Sequence, residues 1–165
     1  ADYNNNISFI NEEKNKGRNL NFIQGLQVNY ILEDWLNIDF RSSYALSRIR
    51  NSLPATSSAN VNTFSLGLGS KTYVEDWVLS LDVFSRFNRG YGDFKTNPTL
   101  FNLYVERSFG KNDRAVVRLQ GFDILNQNTG ITSVMTANDN LFMQNNRLGR
   151  YFLFSFNLRL QKFTN

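Results

Sequence analysis

Long stretches of this chain alternate apolar and polar residues, and this period of two constrains the fold more than any other feature. Between Leu20 and Leu32 every second residue is apolar except for one Gln, and the residues between them are mostly Asn, Gln and Gly. Successive side chains of a β-strand point to opposite faces, so the pattern predicts a strand with one apolar and one polar face. The last such stretch, Phe152 to Leu160, is the cleanest.

The alternation predicts an all-β fold of about eight strands. We expect them near residues 3–10, 18–32, 35–49, 61–73, 77–88, 99–109, 114–124 and 148–163. Several run to about 12 to 15 residues, whereas globular strands usually have about five or six and a strand tilted across a bilayer needs about 9 to 11. The whole chain, 1–165, is expected to form a single segment of sheet.

The connections between these strands alternate in length. Tight turns are expected near 33–34, 74–76 and 110–113, and longer loops near 51–60, 88–97 and 125–147. Short turns at one end and long loops at the other are typical of outer-membrane barrels, where the turns are periplasmic and the loops extracellular. The pattern therefore favours an antiparallel, up-and-down transmembrane β-barrel.

Large aromatic residues flank two of the tight turns. On a transmembrane interpretation they lie at one boundary between water and lipid, where amphipathic rings are enriched. The residues of this predicted girdle are Tyr30, Trp35, Tyr73 and Trp77. The turns also repeat in sequence, since Leu-Glu-Asp-Trp-Leu at 32–36 matches Val-Glu-Asp-Trp-Val at 74–78, which predicts two equivalent hairpins.

The polar face mixes Asn, Ser and Gly with charges of both signs. In a membrane barrel this face lines the lumen, where such residues form cross-strand networks, and the apolar face contacts hydrocarbon. The charged residues predicted to face the lumen are Asp39, Arg41, Asp82, Arg86, Glu106, Arg118 and Arg159.

Composition narrows the chemistry. The chain has no His and no Cys, so it has no imidazole or thiolate metal site, no disulfide and no Ser–His or Cys–His nucleophile. We expect no enzymatic activity, no cofactor and no metal. The net charge of +4 is scattered rather than gathered on one face, so we expect no nucleic-acid partner. Residues 1–6 lack the features of a signal peptide.

The C-terminal third carries a resemblance to a known family. Gly-Phe-Asp-Ile-Leu-Asn-Gln-Asn at 121–128, an Asn-rich loop, Arg-Tyr-Phe at 150–152 and the ending at 157–163 resemble the C-terminal end of Bacteroidetes-type outer-membrane β-barrels related to TonB-dependent receptors. Outer-membrane proteins end in apolar residues at every second position, which the barrel-assembly machinery reads. The corresponding residues are Phe152, Phe154, Phe156, Leu158 and Leu160, with Phe163 out of phase.

This resemblance implies a location in the bacterial outer membrane and contact with its lipid. Receptors of that family have about 22 strands and an N-terminal plug that TonB contacts. The chain therefore resembles the last third or so of a larger barrel that imports a nutrient. TonB and a surface lipoprotein would act through parts outside this sequence.

Two other interpretations stay open. The chain could be a complete eight-stranded outer-membrane barrel with an anchoring or structural role, because about eight strands enclose an interior just wide enough for side chains. It could also be a soluble ligand-binding barrel with its apolar face turned inward. Periodicity alone does not separate these cases.

Overall fold

The computed structural model describes residues 1–54, 58–91, 97–110, 113–128, 130–135 and 140–159, and the side chains of these residues except in 131–135 and 140–144. Every regular element in this part of the chain is a strand. The strands are β1 (Asp2–Ile10), β2 (Glu13–Leu32), β3 (Leu36–Asn51), β4 (Ala59–Val74), β5 (Trp77–Arg89), β6 (Thr99–Phe109), β7 (Ala115–Phe122), β8 (Ile131–Met135), β9 (Asn140–Gln144) and β10 (Tyr151–Leu158).

Eight of these strands form one antiparallel, up-and-down sheet in the order β1-β2-β3-β4-β5-β6-β7-β10. The all-β, antiparallel prediction is confirmed. Within the described residues the sheet is open, because β1 and β10 each have only one neighbouring strand. No helix in the described ranges is long and apolar enough to span a membrane.

The segment between β7 and β10 differs from the long loop expected at 125–147. It contains β8 and β9, which pair with each other as a separate two-stranded sheet. Asn145 closes the base of this hairpin by donating its backbone N–H to the carbonyl of Gly130 at 3.0 Å. The strand β10 begins at Tyr151, later than expected, and returns to pair with β7.

The register brings the apolar residues of neighbouring strands into rows. One row contains Val28, Phe40, Leu68, Val83 and Phe101, each paired with the next across β2 to β6. Paired residues of an antiparallel ladder lie on the same face, so the apolar positions of all these strands form one continuous surface. We call it the apolar band: the residues on this face within 20–32, 36–46, 64–74, 77–87, 99–109, 115–121 and 152–158.

The apolar band is exposed or half-exposed, and the described part of the sheet has almost no hydrophobic core. Among the described residues only Ile49 and Val61 are buried hydrophobic side chains, at 2% and 5% exposure, and both lie on the opposite, polar face. The accessible surface is 12224 Å². A folded monomer of 19.1 kDa exposes roughly 8,400 Å² by the usual scaling with mass. The sheet therefore leaves uncovered an apolar surface that a compact domain would bury.

The turns after β2 and β4 and the connection after β6 lie at one end of the sheet, which we call the turn end. The opposite end has the longer connections and also the two-residue turn between β1 and β2, and we call it the loop end. Glu33 and Glu75 each adopt a left-handed backbone, with φ of 48° and 51°. The two hairpins nevertheless differ: Leu32 pairs with Leu36 around three residues, whereas Val74 pairs with Trp77 around two. The prediction of equivalent hairpins is wrong, because cross-strand pairing, and not the shared five-residue sequence, sets where each turn closes.

Candidate functional site

The charged side chains of the polar face are the candidate site, and two neighbouring rows of the sheet organise them. In one row Asp39 pairs with Gly69 and Gly69 with Asp82; in the next, Arg41 pairs with Gly67. Asp39 and Arg41 belong to β3 and Asp82 to β5, so β4 separates them. The two glycines are the part of β4 that lies between these charges.

Arg41 is the centre of this network. Its Nε lies 2.6 Å from Oδ1 of Asp39 on the same strand, and its Nη2 lies 2.7 Å from Oδ2 of Asp82 on β5. The amide Nε2 of Gln27 donates to Oδ2 of Asp39 at 3.0 Å, which extends the network to β2. Charge-assisted hydrogen bonds thus join β2 to β3 and, across β4, β3 to β5.

Glycine at 67 and 69 makes this crossing possible. A Cβ at Gly67 would lie 3.4 Å from Nε of Arg41, and a Cβ at Gly69 would lie 3.7 Å from Oδ2 of Asp82. Any larger side chain at Gly67 would occupy the path of the guanidinium. A glycine inside a strand weakens the strand but permits close approach of another group, which is what Arg41 uses here.

A second ion pair joins β6 and β7. Glu106 and Arg118 are directly opposite each other in the ladder. Nε of Arg118 donates to Oε2 of Glu106 at 2.5 Å, and its Nη2 contacts the same oxygen. The guanidinium also lies 4.7 Å from the ring centroid of Tyr104. Arginine on an aromatic face is stabilised by the ring quadrupole, so Tyr104 orients the pair along the surface of the sheet.

The other two predicted lumen residues are also on the polar face but belong to neither network. Arg86 lies over the ring of Phe84, with 5.7 Å between its Cζ and the ring centroid. Arg159 follows the last residue of β10, where its backbone N–H donates to the carbonyl of Arg114 at 2.8 Å. All seven predicted charged residues therefore lie on one face, and two separate clusters account for five of them.

The polar face is hollowed beside Arg41. A depression of about 370 Å³ has mixed polar and apolar walls, formed by Gly25, Leu26, Gln27, Arg41, Ser42, Ser43, Ser65 and Phe84. Its size is that of a small ligand site, but it is wide open. Among the described residues no three carboxylate side chains come together as a metal-binding group.

Asp123 has a structural role. It belongs to the segment at 121–128, but the sequence pattern does not predict this role. It is 5% exposed and begins the segment after β7. Its two carboxylate oxygens accept the backbone N–H groups of Gln127 and Asn128, each at 3.0 Å. Its own N–H donates to Oδ1 of Asn102 on β6 at 2.9 Å. One buried carboxylate thus attaches the start of the long connection to the sheet.

Neighbouring side chains complete this attachment. Oε1 of Gln127 accepts the backbone N–H of Thr99 at 2.8 Å, and Oδ1 of Asn126 accepts that of Arg150 at 3.1 Å. Asn126 has a left-handed backbone, with φ of 54°, which Asn tolerates well. The Asp-x-x-Asn-Gln-Asn sequence therefore ties β6, β7 and the residue before β10 together. The sequence signal for this attachment is an acidic residue that directly follows a strand and is itself followed by residues with side-chain amides.

The predicted aromatic girdle divides between the two faces. Tyr30 and Trp77 lie on the apolar face and are exposed, and Trp35 is exposed in the first turn. Tyr73 lies on the polar face instead, where Nζ of Lys71 is 4.9 Å from its ring centroid. Its parity in β4 matches that of Gly67 and Gly69, so its ring does not join the apolar band.

A residue that was not predicted strengthens the turn end of the apolar face. Arg107 pairs with Trp77 across β5 and β6. Its guanidinium lies 4.9 Å from the ring centroid of Trp77 and 4.8 Å from that of Phe109. The charge is therefore held between two aromatic rings at the edge of the band.

The predicted C-terminal assembly residues are on the apolar face as far as the structure describes them. Phe152, Phe154, Phe156 and Leu158 are all exposed and pair with Gly121, Leu119, Val117 and Ala115 of β7. Leu160 and Phe163 lie outside the described residues.

No protein-family model, curated protein or solved structure is significantly similar to this chain. The inference of function therefore depends on the two faces of the sheet.

Proposed function

We propose that this chain is part of the wall of an outer-membrane β-barrel, with the apolar band toward lipid and the polar face toward a lumen. We propose further that the barrel is a nutrient transporter of the TonB-dependent receptor type, and that this chain is its C-terminal wall. The observation that carries the first proposal is the contrast between the two faces. One face carries the apolar band, which has one charged residue among its described positions, and the other face holds paired charges of both signs.

The absence of charge in the apolar band supports lipid contact. Among the described positions of the band, Arg107 is the one charged residue, and it lies at the turn end between two aromatic rings. A soluble sheet that exposed so wide an apolar surface would aggregate or need a covering layer. Lipid hydrocarbon covers such a surface without any further protein element.

The height of the band also suits a membrane. Trp77 and Phe87 bound the band on β5 and are ten residues apart. At about 3.4 Å per residue that is about 34 Å along the strand. A strand tilted by about 40° covers about 26 Å of this along the membrane normal, and the apolar band of outer-membrane barrels is about 25 Å tall.

The polar face supports a lumen wider than that of a minimal barrel. The guanidinium of Arg41 extends along the surface of the sheet to Asp82, and the hollow beside Arg41 is wide open. An eight-stranded barrel has an interior that side chains fill. Within the described residues β1 and β10 each lack a second neighbouring strand, which favours membership of a larger barrel. Transport through such a lumen is the function that we propose.

Single-cysteine labelling tests the orientation, because the chain has no natural Cys. Val28→Cys and Leu68→Cys place a nitroxide label in the apolar band, and Asn29→Cys and Ser43→Cys place it on the polar face. In outer-membrane vesicles we expect the first two labels to collide mainly with dissolved oxygen. We expect the second two to collide mainly with a water-soluble nickel chelate. The reverse pattern would reject the membrane wall.

The size of the native polypeptide separates the larger barrel from the alternatives. A transporter predicts that antibodies to this chain detect an outer-membrane polypeptide several times heavier than 19.1 kDa. A band near 19.1 kDa in the membrane fraction would instead support the small anchoring barrel. A monodisperse species without detergent would support the soluble ligand-binding barrel.

A further inference from the structure

Basic side chains gather on the apolar face immediately beyond the apolar band at the loop end. Arg48 follows Leu46, the last band residue of β3, at the next position on this face, and Arg50 follows Arg48. On β2 the corresponding residue is Arg18, which precedes Leu20 and pairs directly with Arg50. We call Arg18, Arg48 and Arg50 the basic rim. All three are exposed.

The rim is unlike the charged clusters of the polar face, because it has charges of one sign. Every position of β1 to β5 on the apolar face lacks a carboxylate. None of the three arginines belongs to the ion pairs between described residues, which join Arg41 to Asp39 and Asp82 and Arg118 to Glu106. Three guanidinium groups on two adjacent strands, with no carboxylate in an ion pair with them among the described residues, are suited to bind an anion.

The shape of this surface also suits a ligand that is part polar and part apolar. A depression of about 290 Å³ lies between the rim arginines and the side chains of Tyr3 and Leu20. Leu20 belongs to the apolar band, and Tyr3 pairs with it from β1. Lys16 and Lys14 extend the positive charge along β2, further from the band. The site is thus continuous with the lipid-facing surface on one side and positive on the other.

We infer that the basic rim binds the phosphate groups of an anionic lipid in the outer leaflet, whose acyl chains lie along the apolar band. The inference rests on the proposed membrane orientation, with the long loops outside. Guanidinium groups bind phosphate oxygens in pairs of parallel hydrogen bonds, which favours arginine for this contact. A soluble anion would bind the charges but would make no apolar contact with the band. Because the rim and the band are continuous, a lipid fits this surface better.

The opposite end of the same face provides a control. Arg107 is also basic and also at an edge of the band, but its guanidinium lies between the rings of Trp77 and Phe109. Within the described residues it is the one basic residue on this face at the turn end. A lipid phosphate bound by the rim should not depend on Arg107. Arg107→Gln therefore removes one positive charge from the same face at a site outside the rim.

Binding is measured with the full chain in vesicles of neutral phosphatidylcholine that contain a fluorescent, diphosphorylated glycolipid, or the same glycolipid without phosphate. We expect preferential energy transfer from the protein to the phosphorylated lipid, and a weakening with added salt. The triple variant R18Q/R48Q/R50Q should bind it about a hundredfold more weakly, since each of the three basic residues contributes about 1 kcal/mol near an anionic lipid surface and about 1.4 kcal/mol corresponds to a factor of ten. Arg107→Gln should bind within about twofold of the parent chain, because its guanidinium lies outside the rim.

Three results would overturn the inference: unchanged binding by the triple variant, equal binding of the lipid without phosphate, or full competition by inorganic phosphate. The second variant K14Q/K16Q, further from the band, should have a smaller effect than the triple variant. A nitroxide at Leu68→Cys reports on orientation in the same vesicles. If this label is in lipid while the rim variants leave lipid binding unchanged, only the inference about the rim fails. If the label is in water, the proposed membrane orientation fails.

Discussion

Arg41 and Asp82 lie on strands that are not neighbours, yet Nη2 of Arg41 is 2.7 Å from Oδ2 of Asp82. The guanidinium crosses β4 where Gly67 and Gly69 leave the polar face without side chains. This contact joins two strands that are separated by a third, so it links three strands side by side. It gives the sheet a link that backbone hydrogen bonds between adjacent strands do not provide.

Valine at position 67 should break this link. Gly67→Val places branched carbons in the path of Arg41, and we expect a loss of about 1–2 kcal/mol of unfolding free energy, since the pair is partly solvated. In the same background Asp82→Asn should cost little more, because the partner has already been lost. Urea unfolding in detergent micelles measures both changes.

Gly25→Val is the control for that substitution. Gly25 also lies on the polar face, but a Cβ there would meet only the carbonyl oxygen of Ser42, at 3.7 Å. Valine is favoured in strands, so this variant should be neutral or slightly more stable. Equal destabilisation at positions 25 and 67 would contradict the crossing.

The cost in unfolding free energy of an arginine substitution in the apolar band should depend on the depth of the position in the bilayer. Leu68 is in the middle row of the band and Phe87 is at its loop-end edge, and their exposures are similar, at 51% and 50%. In a bilayer Leu68→Arg should cost about 2–4 kcal/mol and Phe87→Arg about 0–1. If both variants unfold like the parent chain in refolding titrations with lipid vesicles, the band does not contact hydrocarbon.

Asp123→Asn should loosen the connection after β7. An amide has one acceptor oxygen in place of two, so at least one of the N–H groups of Gln127 and Asn128 loses its partner. We expect a loss of about 1–3 kcal/mol and faster hydrogen exchange at these two amides. The exposed turn residue Asp113, which also has a left-handed backbone, provides the control Asp113→Asn, which should leave exchange at both amides unchanged.

The chain has two tryptophans, and both are at the turn end. Trp77 lies on the apolar face beside Arg107, and Trp35 lies in the turn. In vesicles, bromine atoms placed near the headgroups should quench Trp77 in Trp35→Phe protein more strongly than bromines near the bilayer centre, because indole rings prefer the interface. Stronger quenching from the centre would mean that the band is displaced in the bilayer.

Local pattern predicted the strands and their two faces, because side-chain alternation along a strand needs no information about its neighbours. The contact of Arg41 with Asp82 was not predictable in this way, since it depends on the register of β3, β4 and β5 together. The same limit explains the turns: Val74 pairs with Trp77 although the matching residue Leu32 pairs with Leu36. Its closeness to a turn predicts that Tyr73 belongs to the girdle, but its parity in β4 places it on the polar face.

The open edges of the sheet limit how a barrel can close. Adjacent strands alternate in direction through all eight members, so β1 and β10 run in opposite directions. A fully antiparallel barrel therefore closes either by direct pairing of these two edges or through an even number of intervening strands. An odd number of intervening strands would force one parallel pair. If every pair is antiparallel, any complete barrel that contains this sheet therefore has an even number of strands.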